Sequence, residues 1–371
     1  MNITEKIQDE LVLHDLDLIR YERGALESAM VRLTNLQTEV VALIKEIDPT
    51  APIQLSAKRK RLDNLLIKLN RRIDRVYRRV MEVQTAELAE LAILESKFSR
   101  RQVNNVTRVP LLRKVLGEKA ALQLIETTLI PNDLTGATIR EKWLRSAANL
   151  KENIKAAMRG AVDNGRNLVE TLRIVRGNRA LRFKDGIMFK SRSGAETLLR
   201  TAGAQITNAS RLATYRANTD TVAGFQSSAI LDSRTTLICH SRNGWAWRVD
   251  GKAFPGTPER FPGSPPWHFN CRTTIIPIFK TLEDLQSVLE PRLHSIIQET
   301  GDDFSFNGEP APGLTFNQWL QRKGERQQKE VLGKGKWELW NAGKISTTDL
   351  VNTHGNPLTL SQLKTKVGIE D

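Results

Sequence analysis

Cys239 and Cys271 are the two cysteines of this 371-residue chain, and both fall between Leu231 and Pro277. His240 and His268, two of five histidines, share that stretch with three of seven tryptophans. His268 and Cys271 make an H-x-x-C step, and Cys239 with His240 adds up to two donors from an earlier point in the chain. Thiolate and imidazole together suit a borderline-soft ion, zinc above all, held tetrahedrally. Between the donors lie Pro255, Pro258, Pro262, Pro265 and Pro266, with Gly244, Gly251, Gly256 and Gly263. Such a loop has few apolar side chains to bury and needs a clamp. A structural metal supplies one, because binding to the folded form alone adds directly to folding free energy. Adjacent residues such as Cys239 and His240 do not easily reach one ion together, so Asp232, His240 and water compete for the fourth position. Two plainer readings stand beside the metal. The cysteines form a disulfide, as in secreted chains, although the polar, acidic opening MNITEKIQDELVLHD is no signal peptide. Alternatively, they are simply small buried side chains.

Asp232, Arg234 and Arg272 flank the donors. One carboxylate and two guanidinium groups make an ion-pair brace of the kind that orients metal ligands. The same constellation also fits a zinc-dependent hydrolase or nuclease, which needs an open coordination position and a nearby base. Glu259 is the carboxylate available for that role, in the Pro/Gly loop. No phosphate-binding G-x-x-x-x-G-K-[ST] loop, strand-linked G-x-G-x-x-G, H-E-x-x-H helix or G-x-S-x-G elbow is present.

The elements around this stretch must bring its two ends together. Val222–Leu231 alternates like a strand, and Thr273–Phe279 is a second strand whose Pro277 marks an end or a sheet edge. Cys239 follows the first strand and Cys271 opens the second, so pairing of the strands would draw the donors to one point. Upstream, residues 1–47 read as helix, with Leu26, Leu33, Val40 and Ile47 seven apart and Ala29, Leu36 and Leu43 between them. Asp48-Pro49-Thr50-Ala51-Pro52 breaks it. A second seam follows through Leu62, Leu66, Leu69, Ile73, Val76, Val80 and Val83, which together imply an antiparallel helical hairpin. Off this seam the second helix carries Lys58, Arg59, Lys60, Arg61, Arg71, Arg72, Arg75, Arg78 and Arg79 against only Asp63 and Asp74. These nine are candidates for contact with nucleic acid or an acidic partner; the plain alternative is a solvated helix face.

The fold class expected is therefore α+β, mainly α. A helical hairpin or coiled-coil region occupies 1–98 and a connector 99–135, with one helix around 119–128. A helical lead-in covers 136–220, interrupted at Asn164-Gly165, with a loop over 177–193 and a small hairpin at Asp185-Gly186. A β-containing Cys/His module occupies 221–281, and a helical tail 282–371, beginning with a helix over 282–299.

The segments D-S-R-T-T-x-x-C (Asp232 to Cys239), Gly244, and P-P-x-H-F-N-C-R-T-T (Pro265 to Thr274) resemble the signature of the phage Mu F-type minor head proteins, the phage head morphogenesis family. The likeness runs from about residue 136 to the end. It implies a minor head protein of a tailed DNA phage, associated with the portal and other capsid or scaffold proteins. It further implies residence in the virion head, and in the host cytoplasm during assembly, with a part in DNA packaging or ejection. In that setting the Cys/His stretch is a structural knot, not a catalytic one.

Composition agrees with such surroundings. Fifty-six basic residues oppose 42 acidic ones, a net charge of +14, which favours partners dense in negative charge such as double-stranded DNA. No apolar run approaches the roughly 20 residues of a membrane helix. The N-terminal seams are also a surface for self-association.

Overall fold

A computed structural model describes residues 3–46, 55–130, 137–164, 168–229, 235–303, 308, 316–321, 324–350 and 358–369. Helices dominate the described residues, with a three-stranded antiparallel sheet and a short two-stranded ladder, as the mainly-α expectation required. Helix α1 spans Ile3–Lys45 and α2 spans Leu55–Thr107, so α2 runs nine residues into the expected connector. Then come α3 (Glu118–Thr127), a two-residue β1–β2 ladder (Leu129–Ile130 with Ala137–Thr138), α4 (Ile139–Asp163), α5 (Leu168–Arg176) and α6 (Ile187–Ala217). The sheet strands are β3 (Val222–Ala229), β4 (Ala246–Arg248) and β5 (Thr273–Phe279), with α7 (Leu237–Arg242) between β3 and β4. The tail holds α8 (Leu282–Val288), α9 (His294–Asp303), α10 (Phe316–Gln321), α11 (Glu325–Leu332), α12 (Lys334–Asn341) and α13 (Leu360–Lys366).

Compactness divides the chain into two units that are not contiguous in sequence. One comprises residues 1–15, 92–121 and 204–371, the other 16–91 and 122–203. Helices α1, α2 and α6 contribute a stretch to each, which no linear segmentation of the sequence expresses.

In the second unit α1 and α2 are antiparallel: Glu39 pairs with Arg72, while Ser28, Ala29 and Arg32 lie beside Val80, Gln84 and Glu87. The expected turn at 48–52 lies outside the described residues. The buried face of α1 is Ala29, Leu33, Leu36, Val40 and Ile44, and that of α2 is Leu62, Leu66, Leu69, Ile73, Tyr77 and Val80. Ile44 replaces Leu43, and Tyr77 replaces Val76, because a straight helix of 3.6 residues per turn drifts off a strict heptad. Helix α4 begins with a reciprocal capping box, Thr138 with Glu141, and buries Trp143, whose indole N–H donates to Gln84. Asn164 ends α4, the interruption expected there. The loop expected over 177–193 is shorter: a 3-10 turn at Arg179–Leu181 leads directly into α6 at Ile187, and Asp185-Gly186 forms no hairpin. Asp185 spends its carboxylate on the Asn178 N–H, closing a local turn instead.

The first unit is built on the sheet, in the order β4-β3-β5. Phe225 of β3, Trp247 of β4 and Ile275 of β5 are fully buried in one apolar cluster that also takes in Cys239 and Cys271. Each such side chain contributes on the order of 1.5–3 kcal/mol by leaving water. Gly224 is required by close approach: a Cβ there would sit 2.3 Å from the Trp247 carbonyl oxygen and 2.6 Å from Phe254. Strand β5 is an edge of the sheet, which is how it accommodates Pro277. Its start is held by Asn208 of α6, whose amide donates to the Thr273 carbonyl at 3.2 Å and accepts from the Ile275 N–H at 3.1 Å. The helix expected over 282–299 is split into α8 and α9, because Pro291 cannot extend α8 and opens a 3-10 turn instead. Helices α10–α13 enclose a separate small core of Leu320, Leu332, Leu339 and Leu363.

Candidate metal centre

Strand pairing places the donors. Ala229, the last residue of β3, stands opposite Thr273, the first of β5. Cys271 lies two residues before that point. Cys239 sits in α7, reached from β3 by the chain through 230–236, and Leu237 of the same helix packs against the C-terminal core. The sulfur atoms are 3.4 Å apart, both cysteines free and buried. His268 Nε2 is 3.0 Å from Cys239 Sγ and 2.8 Å from Thr236 Oγ1. The ligand atoms of Cys239, His268 and Cys271 all lie within 4.8 Å of one another, a group that could hold a metal ion.

The imidazole is oriented for this. His268 Nδ1 donates to the Phe269 carbonyl at 2.8 Å, which leaves Nε2 toward the sulfurs, the arrangement found where a histidine is a metal ligand. Asn270, next in line, takes a left-handed backbone (φ 58°), and the Cys271 N–H returns to the His268 carbonyl at 3.3 Å. This tight turn is what brings H-x-x-C residues onto one point. A tetrahedral zinc with Zn–S near 2.3 Å and Zn–N near 2.0 Å sets its ligands roughly 3.5–3.8 Å apart. The sulfur–sulfur and Cys239–His268 distances are a few tenths of an ångström shorter than that.

Electrostatics favour charge separation within the trio. A hydrogen bond from Cys239, together with the imidazole of His268, holds the Cys271 thiol well below its usual range despite burial. Cys239 is pushed up by that same bond, by burial and by the neighbouring charge. For His268, burial works against the charged form, but the hydrogen bond and charge of Cys271 outweigh it and raise the imidazole. The direction of both shifts favours the thiolate at Cys271, the form a soft cation needs.

The expected brace rests on Asp232, Arg234 and Arg272. Asp232 and Arg234 lie outside the described residues. Arg272 lines a shallow cleft with Thr235, Thr236, Asn270 and Thr273, beside Cys239 and His268. His240, expected as a further donor, is not among the clustered ligand atoms: consecutive residues of a helix point about 100° apart, and His240 is fully buried elsewhere in the packing. A further guanidinium, that of Arg242 one α7 turn after Cys239, acts on the sulfurs. It pairs with Glu259 at 2.7 Å and lies 4.9 Å over the Trp267 ring. Burial lowers its pKa, opposed by Glu259 and by the two cysteines. Glu259 is thereby committed to an ion pair. The tryptophans supply the remaining staples of the Pro/Gly loop: Trp247 Nε1 donates to the Glu259 carbonyl and Trp267 Nε1 to the Gly263 carbonyl, both at 3.0 Å. Neither Arg242 nor the indole bonds were legible as site features. The one available signal was the spacing of Arg242 to Trp245 and Trp247.

The nine basic residues of α2 are all on the surface, but unequally committed. Arg59 pairs with Asp163, Arg72 with Glu39, and Arg79 with Glu82. No helix among the described residues is long and apolar enough to cross a membrane.

Residues 152–276 match the family model described as Phage Mu protein F like protein, a window that contains Cys239, His268 and Cys271. No curated protein and no solved structure matches the chain.

Proposed function

We propose, from the match of residues 152–276 to the Phage Mu protein F like model, that this chain is a bacteriophage head morphogenesis protein, a portal-associated minor head protein whose Cys/His stretch is stapled by zinc. The observation that supports the staple is the convergence of Cys239, His268 and Cys271 at the junction of β3, α7 and β5. A metal at that junction would tie the two ends of the Pro/Gly loop to one point. Bound zinc would supply crosslinking free energy and replace the thiol and imidazolium protons. Engagement of Glu259 by Arg242 favours this structural role over hydrolysis, since it leaves the carboxylate without the freedom of a general base.

Head association is tested by quantitative mass spectrometry of purified heads and of isolated portal complexes. The chain is expected in both, at few copies per head; absence from both overturns the reading. The staple is tested by metal analysis of the purified chain, with about one zinc expected in the wild type and less than a tenth of that in Cys271→Ser.

A further inference from the structure

The charges of α2 sort by direction. At about 100° per residue, Arg61, Asn64, Lys68, Arg71, Arg75 and Arg78 follow one another at intervals of three and four on the side facing away from buried Leu62, Leu69, Ile73 and Val80. All six are exposed. Of the acids in this part of the helix, Asp63 and Asp74 lie off this line and are engaged by Arg159 and Lys151, while Glu82, which follows Arg78 by one turn on the same face, is engaged by Arg79. The basic residues on the flanks, Arg59 and Arg72, are likewise in ion pairs. The apex is thus a line of five cations from Arg61 to Arg78, roughly 26 Å at 1.5 Å per residue, without a carboxylate between them on that line.

We propose that this line, Arg61, Lys68, Arg71, Arg75 and Arg78, is a docking surface for the phosphate backbone of duplex DNA. The inference deepens the head-protein reading by naming a partner and a face. Regularly spaced cations that repel one another along a helix gain most from a rigid polyanion of matching extent, and duplex DNA presents one charge per about 1.7 Å of its axis. Recognition is independent of sequence, since the line offers charge and no groups for base edges.

The test is binding of the purified full chain to a random-sequence 30-base-pair duplex at several salt concentrations. Five phosphate contacts predict a log–log salt slope near −4.5, or roughly 500-fold weaker binding at 200 mM than at 50 mM salt. The variant R71Q/R75Q/R78Q, which removes no ion pair found among the described residues, is expected to cut this to roughly tenfold with little change in melting temperature. The charge-matched variant R59Q/R72Q/R79Q, on the same helix, is expected to keep most of the slope. Equal losses in the two variants overturn the proposal, as does binding to polyglutamate that competes with DNA at equal charge; the latter would assign the face to an acidic protein. Because the assay needs no heads, its failure leaves the head-association experiment untouched.

Discussion

Arginine does opposite work in the two compact units. In the first, Arg211 of α6 is fully buried and bonded to the carboxylate of Glu95 at 3.0 Å, and Arg242 is sandwiched between Glu259 and Trp267. In the second, Arg61, Arg71, Arg75 and Arg78 stand on the outer face of α2 with no acid among them. A buried guanidinium is held because leaving its partner unpaired in low dielectric is costly. An exposed one is cheap to hold and cheap to lose, and its value is the field it projects. The same residue type therefore reads as stability in one region and as recognition in the other. Burial alone tells the two apart.

The sharpest test of that contrast is Arg211→Ala, which leaves the buried Glu95 carboxylate without its guanidinium and is expected to cost about 3 kcal/mol of stability in urea unfolding. The pH dependence has a definite sign. Burial raises the Glu95 pKa, but the Arg211 charge and the His14 hydrogen bond outweigh it, so the folded value lies below the ordinary 4.5. Its contribution is present above pH 4.5 and lost as the pH falls through the depressed folded value. In Arg211→Ala burial is no longer offset by the arginine, and the acid-unfolding midpoint is expected to move to higher pH by circular dichroism.

Next in size is removal of the proposed zinc. At a free concentration 100 times its dissociation constant the ion would add about 2.7 kcal/mol, so chelation should lower the melting temperature of the wild type and leave Cys239→Ser/Cys271→Ser unmoved. If chelation changes neither, the first unit is held by packing and ion pairs alone. Within the helical unit, Thr138→Ala removes the capping box of α4 and is expected to cost about 1 kcal/mol. Smallest is Arg78→Gln, expected to change stability by less than about 0.5 kcal/mol while lowering the DNA salt slope by about 0.9. A large stability loss there would erase the distinction between the regions.

Legibility of the sequence followed the range of the interactions. The strand Thr273–Phe279 was readable to the residue because β-branched composition and Pro277 act locally. The α2 seam was readable until the drift from Val76 to Tyr77. The split of 282–299 at Pro291 was missed although the proline is local, since the apolar pattern continues across it. At the site, Cys239, His268 and Cys271 could be named from residue type, while His240 was excluded only by the pitch of α7, a helix that the polar string TTLICHSR does not announce. Arg242 and Glu259 are 17 residues apart, and nothing in their spacing says they meet.

What the sequence determined by itself was which atoms are available: two soft donors and an imidazole in one proline-rich stretch, and a helix with more cations than its acids can neutralise. Which of them act together was decided only by the tertiary structure. Antiparallel pairing of β3 with β5 folds a separation of 32 residues into 3.4 Å between sulfurs, and the packing of neighbouring helices determines which arginines find a carboxylate. Donor chemistry is a property of a side chain, whereas coordination and ion pairing depend on distance, and distance between remote residues is set by the core.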